Sequence, residues 1–163
     1  MRTKANQGFT LVELIITIAL IGIIAGFAIP QFGNMIDRNR VVSTTNSVVG
    51  LLNYARSEAI RRNVRVQVDL GQDPIEAQLA NDGSVIRVIE PLANNTTVDV
   101  TTPSGASPAT VQFRSNGTTN AMETGGIGEE IWVRVCSGDA EGREIVVDPG
   151  GRLNTRAPDT ACP

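Results

Sequence analysis

With 163 residues, 14 of them basic, 17 acidic and none histidine, the chain has room for one membrane anchor and one small soluble domain, and a second independent domain is not expected. A formal net charge of −3 disfavours wholesale attraction to nucleic acid. The only cysteines are Cys136 and Cys162, so neither a zinc-ligand set nor a Cys/His nucleophile pair can be assembled, and no catalytic residue, metal or cofactor is expected.

The apolar start of the chain carries most of the information. Residues 9–29, FTLVELIITIALIGIIAGFAI, are apolar or small throughout, with Glu13 the only ionisable side chain. At about 1.5 Å per helical residue this stretch matches the roughly 30 Å of a bilayer core, which predicts a transmembrane helix. Gly22 and Gly26 are spaced as small-xxx-small, either a site of close helix approach or a chance pair. A secretory signal peptide also begins with basic residues, here Arg2 and Lys4, before an apolar run. Its apolar core is shorter, however, and Pro30-Gln31-Phe32-Gly33 offers no A-x-A-like cleavage triplet. A carboxylate in hydrocarbon costs on the order of 3 kcal/mol, so Glu13 calls for a partner unless it lies near the interface, solvated or protonated.

The string Gly8-Phe9-Thr10-Leu11-Val12-Glu13-Leu14-Ile15 resembles the class III signal sequence of type IV pilins and type II secretion pseudopilins. The resemblance implies that a prepilin peptidase removes residues 1–8 by cutting between Gly8 and Phe9, and that the new amino terminus of Phe9 is N-methylated. The product keeps 12 basic against 17 acidic residues, since Arg2 and Lys4 leave with the leader. Glu13 becomes the fifth mature residue, the family's acidic position. The freed amine of Phe9 supplies a positive charge at the same depth, and in a filament it would meet Glu13 of an adjacent subunit. The implied partners are other pilins or pseudopilins through the N-terminal helix, the prepilin peptidase and the inner membrane. The implied location is a single-pass inner-membrane protein with its globular domain in the periplasm, later a pilus or pseudopilus.

Past the apolar run the helix is expected to continue over residues 30–62. Proline removes one backbone hydrogen bond, and the resemblance implies a kink at Pro30. Val41, Val48, Leu52, Ala55 and Ala59 recur at three-to-four-residue spacing, as on an amphipathic helix resting on a sheet. Arg61 and Arg62 suit its C-terminus. The stretch Leu52-Asn53-Tyr54-Ala55-Arg56-Ser57-Glu58-Ala59-Ile60-Arg61-Arg62-Asn63 is similar to the helix end of the H-type pseudopilins of type II secretion and of the FimT and FimU minor pilins.

Residues 63–163 read as a β-rich domain. Residues 64–70 alternate apolar and polar side chains, and further strands are expected at 85–89, 97–100, 111–114, 131–135 and 144–147, separated by turn formers. The expected fold is α+β and pilin-like: a long N-terminal helix, half transmembrane and half amphipathic, packed on an antiparallel β-sheet. Phe113 followed by Gly117, and the late Gly151-Arg152-Leu153, also resemble the H-type pattern, whereas residues 71–108 match nothing recognisable. Gly125-Gly126-Ile127-Gly128 lacks the spacing and the lysine of a phosphate loop and reads as a turn, and Glu129 with Glu130 reads as a solvated pair.

Cys136 falls near a strand end and Cys162 beside the C-terminus. A bridge between them would tie down a fraying tail and contribute about 3–4 kcal/mol on the chain-entropy model; two free structural thiols are the alternative. The principal function expected is that of a minor pilin or pseudopilin assembling into a filament tip. A second rests on the tail Gly151-Arg152-Leu153-Asn154-Thr155-Arg156, which resembles, with its second arginine two places late, the G-R-x-R motif of DNA-receptor minor pilins. There Arg152 and Arg156 would contact phosphates; otherwise they decorate an exposed loop.

Overall fold

The computed structural model describes residues 9–121, 129–138, 140–159 and 162, with the side chains of 27–31, 120 and 121 outside the described set. The chain divides into two compact units, one ending at Ile36 and one comprising Asp37–Pro163.

In the first unit α1 (Leu11–Arg62) begins, and its large side chains from Leu11 to Ile24 are all exposed. Among the described residues no helix is long and apolar enough to cross a membrane. The expected span 9–29 runs past Gly26 into residues 27–29, whose side chains lie outside the described set. Pro30 falls within α1, its ring likewise outside that set.

In the second unit α1 presents the expected stripe. Val41, Val48, Leu52, Ala55 and Ala59 are all buried, joined by Leu51. The helix ends in a Schellman-type cap: Asn63 adopts φ 53°, and the Val64 amide donates to the Ala59 carbonyl at 3.2 Å. Asparagine tolerates this left-handed conformation, so the sequence stops the helix at that residue.

Among the described residues nine strands follow the helix, forming two antiparallel sheets where the sequence suggested one. The first sheet contains β1 (Val66–Asp69), β2 (Glu76–Leu79), β3 (Val85–Val88), β5 (Thr110–Phe113) and β6 (Thr119–Ala121), in the order β3-β2-β1-β5-β6. The second contains β4 (Thr96–Thr101), β7 (Ile131–Ser137), β8 (Arg143–Val147) and β9 (Leu153–Arg156), in the order β4-β7-β8-β9. The β2, β6 and β9 strands were not expected. In β2 the sequence Glu-Ala-Gln-Leu alternates but contains no β-branched or aromatic residue, and β9 carries a single apolar residue, Leu153, so neither stands out as a strand former. The pair Val66↔Phe113 and the pair Val133↔Ile145 set the inward faces of the two sheets. Val48, Leu51, Leu52, Ala55 and Ala59 join those faces in one core.

Where the helix end meets both sheets, Arg56 is the link. Its Nε donates to the Gly117 carbonyl and its Nη2 to the Gly150 carbonyl, each at 3.1 Å. Gly117 lies in the β5–β6 turn and Gly150 in the β8–β9 turn, so one guanidinium ties the helix to both sheets. The Thr119 amide at the start of β6 also donates to the Pro149 carbonyl at 3.1 Å, joining the first sheet directly to the β8–β9 turn. Gly151 has φ 77°, and a Cβ there would overlap the Gly117 carbonyl oxygen. The three stretches singled out by resemblance, the helix end, Phe113 with Gly117, and Gly151-Arg152, therefore meet at one place.

Gly151→Ala is expected to destabilise the protein by about 2–4 kcal/mol, combining the left-handed backbone with the close approach. Gly50→Ala, in a helix with open space around its Cα, is expected to stabilise by about 0.5–1 kcal/mol. Urea unfolding of both variants checks the contrast.

Candidate functional site

Glu13 sits in the first turn of α1, and its carboxylate is already engaged. The Thr10 amide and the Thr10 hydroxyl each donate to Glu13 Oε2 at 2.9 Å, while the Glu13 amide donates to Thr10 Oγ1 at 3.2 Å. This reciprocal pair is a capping box, which satisfies amides that the helix start leaves without partners. The pattern Thr10-Leu11-Val12-Glu13 ahead of an apolar run is its sequence signature. The expectation that Glu13 must find its partner elsewhere omitted this nearer one. Among the described residues Oε1 accepts no hydrogen bond, so one oxygen is held by the chain itself and the other is open to a donor. Phe9 is exposed next to this turn, and Gly8 lies outside the described residues.

Arg152 sits on the β8–β9 turn with its side chain largely exposed, as one of the two expectations had it, and both C-terminal arginines meet carboxylates. Arg152 Nε donates to Asp148 Oδ2 at 2.8 Å, and the Arg152 amide donates to Asp148 Oδ1 at 2.8 Å. Arg156 belongs to β9, where its Nη2 lies 2.7 Å from Oε2 of the buried Glu144 and 3.1 Å from Oδ2 of Asp159. Its guanidinium stacks over the Trp132 ring at 5.2 Å. The Glu144 hydrogen bond raises the Arg156 pKa further and keeps it charged. Arg134 meets the other Glu144 oxygen at 3.4 Å. Any phosphate would compete with these carboxylates, two on Arg156 and one on the largely exposed Arg152.

Residues 44–151, more than half of the chain, match the family described as Type II transport protein GspH. The chain belongs to the GspH family. Residues 3–29 match the prokaryotic N-terminal methylation motif, which covers Gly8, Phe9 and Glu13. The fold is also that of the type IV minor pilin FimU of Pseudomonas aeruginosa, with a TM-score of 0.59 and 20% identity over 77% of this chain and 98% of that one. A fimbrial protein of Pseudomonas aeruginosa is 44% identical over 54 residues, 33% of this chain and 35% of that protein. The major fimbrial protein FimA of Dichelobacter nodosus is 57% identical over 36 residues, 22% of this chain and 23% of that one. The GspH match reaches Gly151 and stops short of Arg152, Arg156 and Cys162.

Cys136 of this GspH domain forms a disulfide with Cys162, the pairing the sequence allowed, with Cα atoms 5.8 Å apart. Gly142 makes room for it, since a Cβ there would lie 2.5 Å from Cys162 Sγ. Of the discounted features, Gly125 to Gly128 lie outside the described residues. Glu129 accepts a hydrogen bond from Ser104 and Glu130 one from the Trp132 indole. Sequence reading missed Glu58, which is buried in the helix and takes Arg61 and Arg62 together. Its signal was the i, i+3 and i+4 spacing of the charges.

Hydrogen bonds from Arg61 and then Arg62 hold Glu58 below the usual carboxylate range, and the Arg152 amide does the same for Asp148. Both contribute stability that is complete above the ordinary Asp and Glu values, near pH 4, and is lost as pH falls through their lower folded values. Tm measured between pH 6 and pH 2 is expected to fall most steeply below about pH 4, with a shallower fall in Glu58→Gln. Reduction of the disulfide is expected to cost about 3–4 kcal/mol and to expose the tail to proteolysis, which limited digestion with and without reductant would reveal.

Proposed function

We propose that this chain is a minor subunit of a pilin-like filament: cleaved between Gly8 and Phe9, methylated at Phe9, held in the inner membrane by residues 9–29, and added to the tip of a type IV pilus or a type II secretion pseudopilus. The observation that carries this reading is the N-terminal methylation motif at 3–29 and the GspH domain at 44–151 in one chain. The work of the GspH domain on this reading is assembly.

Assembly follows from the charges. Glu13 enters as a carboxylate with Oε2 satisfied by Thr10. Cleavage exposes the amine of Phe9, and in a filament that amine on one subunit reaches Oε1 of Glu13 on the next. Charges paired in a low-dielectric setting attract strongly, so the contact forms only where both subunits sit at the same depth and register. Exposed Leu11, Ile15, Ile18 and their neighbours supply the apolar surface that helices bury against one another. The globular unit of residues 37–163 stands in the periplasm and makes the lateral contacts. A DNA-receptor role is not adopted, because Arg152 and Arg156 are each held by carboxylates.

Mass spectrometry of the membrane-extracted protein is expected to find N-methylated Phe9 at the amino terminus; any other terminus would overturn the processing. Glu13→Gln is expected to lower incorporation into sheared filaments about tenfold, the equivalent of 1.4 kcal/mol. Wild-type incorporation by that variant would remove the electrostatic docking.

A further inference from the structure

A cleft of about 500 Å³ in the globular unit is lined by Arg38, Val41 and Val42 of α1, by Glu141 of the β7–β8 connection, by Arg143 of β8 and by Arg156 of β9. Its charges are unequal. Arg156 is neutralised by Glu144 and Asp159. Arg38 and Arg143 are exposed, and among the described residues neither joins an ion pair or a hydrogen bond, which leaves two guanidinium groups against the single carboxylate of Glu141. In a chain whose net charge is negative this is a local cationic site.

Its position along the chain narrows the ligand. No basic residue occurs from Phe9 to Ile36. Phe32, Met35 and Ile36 are exposed apolar side chains immediately before the first arginines. Arg40 is occupied by Asp37 at 3.2 Å, so among the described residues Arg38 is the first arginine without an acidic partner after the apolar run. Along the chain Arg38 follows Ile29, the end of the proposed anchor, by nine residues, about 13 Å of helix, a gap that the headgroup layer and a long arginine side chain together bridge. The cleft wall also offers Val42, which is partly exposed, beside the charges. A phosphodiester suits the arginine fork, and a lipid brings an apolar portion to the valine wall.

We propose that the Arg38–Arg143 cleft binds the phosphate of an anionic phospholipid headgroup and so fixes the globular unit at the membrane surface before assembly. The proposal rests on the membrane anchoring by residues 9–29. The shared chemistry is a phosphate mono- or diester, and the lipid is the source because its apolar part answers the valine wall.

The full chain, reconstituted in nanodiscs of phosphatidylcholine and phosphatidylglycerol, would be released and weighed by native mass spectrometry to count retained lipids. The wild type is expected to retain phosphatidylglycerol over phosphatidylcholine about tenfold. Arg38→Ala/Arg143→Ala should abolish the preference, as should Arg38→Gln/Arg143→Gln, which preserves side-chain length better. Arg65→Ala removes one exposed charge away from the cleft and should preserve it. A preference that persists in both double variants would overturn the proposal, as would insertion with no preference in the wild type. A chain that fails to enter the discs would overturn both this site and the anchoring, so the two failures are distinguishable. If soluble glycerol phosphate at equal concentration erases the preference, the site takes free phosphate and the lipid assignment falls. If the double variants select lipid as the wild type does yet fail to join filaments, the cleft receives a neighbouring subunit's carboxylate, which also overturns it.

Discussion

The globular unit depends on one face of one helix. Val48, Leu51, Leu52, Ala55 and Ala59 of α1 are the surface on which both sheets close, and without it each sheet would show an apolar face to water. Burying a leucine there is worth about 1.5–3 kcal/mol, a large fraction of the roughly 5–15 kcal/mol by which domains are stable. Alanine at 55 and 59 brings the helix end close to the strands, and that closeness is what lets a charged side chain at position 56 reach two separate turns.

Arg56 shows how a polar group can organise an apolar core. A guanidinium brought partly out of water needs its donors satisfied, and here backbone carbonyls of the β5–β6 and β8–β9 turns accept them. Those carbonyls reach it only because Gly117 and Gly151 adopt positive φ and bring no side chain between the turns. The helix register, the turn conformations and the approach of the two sheets are thus coupled through one residue. A motif that reads locally as a good helix end is also a tertiary fastener.

Opposite charges are arranged differently at the two ends of the sequence. At the start, Thr10 occupies one oxygen of Glu13 and leaves the other open, so the carboxylate is partly satisfied and still able to bind. In the tail, Glu144 and Asp159 engage Arg156, Asp148 pairs with the exposed Arg152, and the disulfide at Cys162 anchors the chain beyond β9. The first arrangement suits a group that changes partners during assembly. The second suits a tail whose charges hold the domain together.

The sequence alone determined the features that depend on local order or repeat spacing. The leader motif from Gly8 to Ile15 is a contiguous string, the buried stripe from Val41 to Ala59 follows helical periodicity, and six of the nine described strands carry enough apolar or β-branched residues to be read directly. The capping box at Thr10 and Glu13 has a signature of the same local kind, a three-residue spacing, but is recognised only from its hydrogen bonds. Tertiary structure alone decided the split into two sheets, the meeting of Arg56 with Gly117 and Gly150, the pairing of Arg156 with Glu144, and the existence of β2, β6 and β9. Those contacts join residues far apart in the chain, and short polar strands such as Leu153–Arg156 are held by the hydrogen-bonding edge of a neighbour. A strand with one apolar side chain has no pattern of its own; its conformation comes from the strand beside it.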